Sequence, residues 1–185
     1  MELNQAQQIA ESIVHAIRPA CVRAEVAGSI RRLKPDVKDV EIVAIVQDYD
    51  ALFIELAKFG RFIKPGVPDV VDWPARPGAK YIRMLLNEDV KLDMFVAHKD
   101  NWGALFAMRT GSGIGPDKTM GFIPGLFGSW KKKSGGGRMT GCMPTTPEGI
   151  KIAVPEEEDF FRLCGVEWIP PEDRKSARNV KRIKE

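Results

Sequence analysis

The sequence predicts an α/β (α+β) fold, a mixed β-sheet with flanking helices and a smaller C-terminal part, on three observations. Apolar residues at helical and at strand spacing alternate through the first hundred or so positions. Glycine and proline then crowd residues 110–149, which argues against long regular elements there. Charge changes near the same place. Residues 1–107 carry 14 basic and 15 acidic side chains (net −1), and residues 108–185 carry 14 and 10 (net +4). The expected parts are 1–107, 108–174 and a flexible basic tail at 175–185.

Each element has its own signal. Ile9, Ile13, Val14 and Ile17 recur at helical spacing over residues 4–17, behind Asn4 as a suitable N-cap, and Pro19 ends the run. Val22–Ala27 reads as a short strand that Gly28-Ser29 breaks. A strand over Val40–Val46 follows, then a helix over Asp50–Phe59 with Gly60 in the C-terminal cap position. Residues 64–78 read as a Pro- and Gly-rich loop. Lys80–Leu86 and Val90–Val96 are β-type runs around Asn87-Glu88-Asp89, a hairpin signal. Trp102–Met108 has helical spacing, Glu156–Leu163 is a short amphipathic helix, and Pro170-Pro171 closes the packed region.

Composition excludes several classes. A net charge of +3 in 185 residues rules out a uniformly basic, histone-like chain but allows a basic second part that meets phosphates. No apolar run approaches the ~20 residues of a membrane span. The start, Met-Glu-Leu-Asn, lacks the basic and apolar regions of a signal peptide. Cys21, Cys142 and Cys164 fit neither a disulfide framework nor a zinc set. They read as buried thiols of a reducing compartment, cytoplasmic or, in a nucleated host, nuclear. His15 and His98 are too few for a multi-histidine metal site. A monomer is expected.

The most informative stretch is Gly28-Ser29-Ile30-Arg31-Arg32 followed by Asp39-Val40-Glu41-Ile42. On a strand Asp39 and Glu41 project from one face, where their carboxylates repel unless a cation sits between them. A hard divalent ion such as Mg²⁺ suits such oxygen donors and keeps positions open for phosphate oxygens. Upstream, a Gly-Ser turn from strand into helix offers backbone N–H groups, Ser29 a hydroxyl and Arg32 a guanidinium fork. The plainer reading stands beside this one: an alternating strand also points its acids at water, and paired arginines also serve ion pairs. Asp93, mid-strand in Val90-Lys91-Leu92-Asp93-Met94-Phe95, adds a third acid. Should its strand lie beside that of Asp39, three carboxylates converge as two-metal phosphoryl or nucleotidyl transfer requires.

Gly28-Ser29 with Arg32, Asp39-x-Glu41 and then Asp93 resembles the nucleotidyltransferase superfamily, and most closely DNA polymerase family X. Thr110-Gly111-Ser112 is similar to the short turn where family palms end and thumbs begin. Val154–Phe161 and Gly165–Arg174 look like the end of the family thumb. The resemblance spans roughly residues 5–174 and implies a nucleotidyltransferase palm over 1–107 and a small thumb over 108–174. It implies two Mg²⁺ or Mn²⁺ ions on Asp39, Glu41 and Asp93, with Asp93 activating the primer 3′-hydroxyl. Gly28, Ser29 and Arg32 would contact the triphosphate, Lys91 would lie near the primer terminus, and Gly111 and Ser112 against the incoming sugar. The implied partners are primer-template or gapped DNA and a nucleoside triphosphate, with no membrane. The implied activity is gap-filling or repair synthesis that releases pyrophosphate.

Some positions depart from the family pattern. Glu41 stands where many members carry Asp, and Met108-Arg109 replaces an aromatic pair that helps to exclude ribonucleotides. Gly113, Pro116 and Asp117 remove side chains that could touch the incoming base. No lyase activity is expected, since 27 residues precede Gly28. Gly111–Gly115 also fits the glycine hairpin of a helix–hairpin–helix. Lys131, Lys132, Lys133 and Arg138, among glycines, could clasp a DNA backbone or form a solvated loop. Trp130 could stack on a base, whereas Trp73, Trp102 and Trp168 read as packing residues. Three other readings remain: a template-independent terminal transferase, a nucleotidyltransferase acting on a protein or small molecule, and an inactive DNA-binding module.

Overall fold

The computed structural model describes residues 1–64 and 76–184. Over these residues the chain is a mixed α/β protein with six α-helices and a five-stranded mixed sheet. It divides into two compact units, Met1–Ala97 and His98–Glu185. Most of the loop expected over 64–78, with Trp73, lies outside the described residues.

The first unit contains α1 (Leu3–Ile17), β1 (Cys21–Val26), α2 (Gly28–Arg31), β2 (Asp39–Val46), α3 (Tyr49–Leu56), β3 (Gly60–Phe62), β4 (Tyr81–Leu86) and β5 (Lys91–Val96). The sheet order is β1-β2-β5-β4-β3, with β2 and β5 parallel and every other neighbour antiparallel. Strand alternation gives each strand two faces. Val40, Ile42, Ala44, Ile82, Met84, Leu86, Leu92 and Met94 form a core with Ala6, Ala10, Ile13 and Ile17 of α1 and Leu52 and Leu56 of α3. Each large side chain so buried stabilises the unit by about 1.5–3 kcal/mol. The opposite face then receives Asp39, Glu41, Arg83, Lys91 and Asp93.

Two local expectations change. Helix α1 begins one residue before Asn4, with extended Glu2 in the N-cap position. Gly60 does not cap a helix but opens β3, because a Cβ there would run into the Leu85 carbonyl of β4. Helix α3 is instead capped at its start, where the Asp48 side chain accepts from the Ala51 N–H at 3.0 Å.

The second unit contains α4 (Trp102–Thr110), α5 (Phe122–Lys133), β6 (Arg138–Thr140), β7 (Met143–Thr145) and α6 (Glu157–Leu163). Its core joins Ala104 and Ala107 to Phe122, Ile123, Leu126 and Trp130, and to Phe160, Phe161 and Val166. The division falls at 97/98 rather than 107/108 because α4 packs inside this unit. A Cβ on Gly103 would strike the Glu156 carbonyl at the start of α6.

Helix α5 occupies a stretch expected to lack long regular elements. Pro124 lies in its first turn, where amide donors have no intrahelical partner, so the missing N–H costs little there. Burial of Phe122, Ile123, Leu126 and Trp130 along one side outweighs Gly125 and Gly128. Lys131, Lys132 and Lys133 therefore form a last helical turn instead of a loop.

The C-terminal segment is tied down as well, where a flexible tail was expected. The Ser112 N–H donates to the Arg174 carbonyl at 3.1 Å and the Ala177 N–H to Met120 at 2.9 Å. Further along, the Glu167 N–H donates to Lys181 at 2.9 Å and the Ile183 N–H to Gly165 at 3.0 Å. Arg174 itself is fully buried.

Candidate active site

The parallel register of β2 and β5 sets Glu41 opposite Asp93 and Asp39 opposite Lys91. Neighbouring strands lie about 4.8 Å apart, so the Glu41 and Asp93 side chains rise next to each other. Asp39 stands two residues before Glu41 on the same face. The three expected carboxylates thus share one patch of sheet, with the exposed Lys91 beside them.

Asp93 is 6% exposed, and both of its oxygens are engaged. The Arg83 guanidinium holds it as a fork, Nε to Oδ1 at 2.6 Å and Nη2 to Oδ2 at 2.7 Å. The Tyr81 hydroxyl also donates to Oδ1, at 2.6 Å. These contacts bind the three groups electrostatically. The hydrogen bonds to Asp93 push the Arg83 pKa up, which keeps the fork charged. Burial first, and the Asp93 hydrogen bond second, push the Tyr81 phenol up. A carboxylate offers about four lone-pair positions, so three donors leave one open, on Oδ2.

The turn after β1 abuts this patch. The Ala27 N–H donates to the Glu41 carbonyl at 2.8 Å, which ties the turn to β2 at the acid itself. Gly28 has φ +64°, and a Cβ there would collide with the Glu41 carboxylate. Only glycine allows both that backbone conformation and that approach. The Ser29 Oγ is buried with no hydrogen-bond partner among the described residues. Such an atom is uncommon and marks a place for a ligand or water. Arg32 closes α2 in the field of both acids: burial lowers its pKa, while Glu41 and then Asp39 pull it back up.

Among the described residues, no three Asp, Glu, His or Cys side chains form a ready-made cage for an ion. The donors nevertheless suit a hard divalent cation. Asp39, Glu41 and the open position on Asp93 Oδ2 present carboxylate oxygens on one face.

The remaining expected residues belong to the second unit. The Ser112 hydroxyl donates to the Lys175 carbonyl at 2.6 Å and accepts the Phe122 N–H at 3.1 Å, so it braces that unit. Gly111 is a packing glycine, since a Cβ would come within 2.5 Å of the Ile123 side chain. Gly111–Gly115 leads from α4 into the connection to α5. Lys131, Lys132, Lys133 and Arg138 are exposed. Trp130 is buried and donates from Nε1 to the Arg138 carbonyl at 3.2 Å, which removes it as a stacking platform.

Arg83 and Tyr81 were not anticipated as site residues. The signal was available, because folding the expected hairpin about Glu88 sets Arg83 opposite Asp93. No protein-family model matches the chain, and a search of the curated proteins returns no match.

Proposed function

We propose that the first unit is a metal-dependent nucleotidyl-transfer centre, and that the chain is a DNA polymerase of family X type. It would add a nucleoside monophosphate from a triphosphate to a DNA 3′-hydroxyl and release pyrophosphate. The observation that carries this reading is the single sheet face bearing Asp39, Glu41 and Asp93, bordered by a Gly-Ser turn with an unpartnered buried hydroxyl. Two bound Mg²⁺ or Mn²⁺ ions would supply charge neutralisation at the phosphates and a lowered pKa at the attacking hydroxyl.

Asp39, Glu41 and Asp93 Oδ2 would hold the ions. Ser29 donates its hydroxyl to a phosphate oxygen and so loses its orphan status on binding. Arg32 moves part of its charge from the two carboxylates to the triphosphate, a transfer that its position beside both acids permits. Arg83 and Tyr81 fix the Asp93 rotamer, so its free lone pair keeps one direction before substrate arrives. Lys91 adds positive charge beside Asp39, where a primer phosphate would lie.

The test is primer extension on a one-nucleotide gap, an open template-primer and a single strand, with dNTPs or NTPs, in Mg²⁺ and in Mn²⁺. Extension that follows the template base, absent in Asp39→Ala, is the expected result. Untemplated addition to the single strand would make the protein a terminal transferase. No extension on any substrate would overturn the polymerase reading and favour a protein or small-molecule acceptor, or an inactive DNA-binding module.

A further inference from the structure

A second basic feature lies wholly within the C-terminal unit. A cavity of about 580 Å³ is lined by Lys132 and Lys133 of α5, Arg162 of α6, Cys164 and Gly165 just beyond it, and Arg182 of the C-terminal segment. Four of its lining residues are cationic, and no carboxylate residue is among them. Arg162 pairs with Asp159 at 3.0 Å, whereas Lys132, Lys133 and Arg182 form no ion pair among the described residues. Two helix C-termini lie nearby and favour cations, but each such contact contributes only about 0.3–1 kcal/mol. That is too little to explain four like charges gathered around one hollow.

The wall is built, not loose. Arg182 pairs with Val166 as an antiparallel bridge, and the Ile183 N–H donates to the Gly165 carbonyl at 3.0 Å, so the backbone fixes where Arg182 stands. The Lys133 Nζ donates to the Arg162 carbonyl at 3.3 Å. Gly165 leaves room for that lysine, because a Cβ there would come within 3.0 Å of its Cδ.

We propose that this cavity is a binding site for a ligand carrying two or more closely spaced phosphate groups. Its volume exceeds what one phosphate needs and falls within the range of ordinary ligand pockets. The same chemistry is offered by a free oligophosphate and by consecutive backbone phosphates of a nucleic-acid strand. The cavity belongs to the C-terminal unit and does not depend on the reading given to the carboxylates of the first. It also divides the lysine run, since Lys132 and Lys133 line the cavity and Lys131 does not.

The experiment is calorimetric titration of the full chain with tripolyphosphate, with amide chemical shifts recorded in parallel. The expected result is saturable one-to-one binding that shifts the Gly165 and Cys164 amides. Lys132→Gln and Arg182→Gln should each weaken it about tenfold, the usual scale for losing one charge-assisted hydrogen bond. Lys131→Gln should leave it within twofold. Competition by a twelve-residue oligothymidylate would identify strand phosphates as ligands of the same site, and lack of competition would restrict it to free phosphate compounds. Three results would each overturn the proposal: no saturable binding, an unmoved Gly165 amide, or Lys131→Gln as weak as Lys132→Gln. The amide shifts of the unsubstituted chain decide the matter even if a variant fails to fold. Primer extension is read separately, so either claim can fail alone.

Discussion

The two units each contain an arginine forked onto a carboxylate, and the two pairs do different work. In the C-terminal unit Arg174 donates to Glu157 from Nη1 at 2.6 Å and Nη2 at 2.9 Å, while its Nε donates to the Ile169 carbonyl at 2.7 Å. Its guanidinium lies over the Phe161 ring at 4.8 Å, and the Trp168 Nε1 donates to the same carboxylate at 3.1 Å. Side-chain exposure is 0% for Arg174 and 5% for Glu157. In the N-terminal unit Arg83 forks onto Asp93 through its other edge, Nε and Nη2, yet its side chain is 29% exposed and a lone pair of Asp93 stays open. One pair is a sealed internal brace. The other is a half-buried brace beside Glu41, which fixes the direction of an unshared Asp93 lone pair. The same pair of groups is thus enclosed or accessible according to what surrounds it.

The largest effect expected from breaking this contrast lies in the sealed pair. Glu157→Gln should cost about 3–5 kcal/mol, because it leaves the Arg174 charge buried and unpaired. Urea unfolding of the variant measures this directly, and a loss below about 1 kcal/mol would remove the distinction between the pairs.

Gly28→Ala should cost less, about 1–2 kcal/mol, for a non-glycine residue at positive φ. Its larger consequence is displacement of the Glu41 carboxylate by the new methyl group, with nucleotidyl transfer falling by two or more orders of magnitude. Unchanged transfer would separate Glu41 from the chemistry.

Arg83→Leu should cost about 1–2 kcal/mol, since it removes two of the three donors on the nearly buried Asp93 carboxylate and leaves the Tyr81 hydroxyl. It should lower kcat more than tenfold while KM for the triphosphate stays nearly constant, with partial rescue by Arg83→Lys. Equal changes in kcat and KM would make Arg83 a binding group instead of a positioning one.

A further effect, confined to alkaline pH, concerns a thiol that serves neither pair. Burial pushes the Cys164 thiol up to about 12 from its ordinary 9.0. Between those values the unfolded chain releases a proton that the folded chain keeps, so folding stability falls as pH rises through that window. The wild type should therefore lose stability faster than Cys164→Ala between pH 9 and pH 11, measured under reducing conditions. Parallel curves would show that the thiol titrates alike in both states.

Much of the first unit was legible in the sequence because strand alternation is a local rule. It assigned Asp39 and Glu41 to one face, and Asp93 to a mid-strand position between Leu92 and Met94, both of which prove to be core residues. What local rules could not give was the parallel contact of β2 with β5, which joins residues separated by α3, β3 and β4. Arg83 fell between the two cases: the hairpin was foreseen, but its register was not followed to the residue opposite Asp93.

The second unit was less legible because tertiary burial overrides composition there. Helix α5 forms despite Pro124, Gly125 and Gly128. The terminal segment is held by contacts with residues 112, 120, 165 and 167, and its basic composition hides that packing. Arg174, just before the basic run 175–185, is the most enclosed charge among the described residues, a position its neighbours in sequence do not announce.

The most direct measurement on the carboxylate face is Mn²⁺ binding followed by electron paramagnetic resonance, with and without a nucleoside triphosphate. Binding should be saturable in the wild type, tightened by the triphosphate, and lost in Asp39→Asn while the fold is kept. A wild type that binds no Mn²⁺ in the presence of triphosphate, or an Asp39→Asn variant that binds it equally well, would contradict a nucleotidyl-transfer centre at Asp39, Glu41 and Asp93.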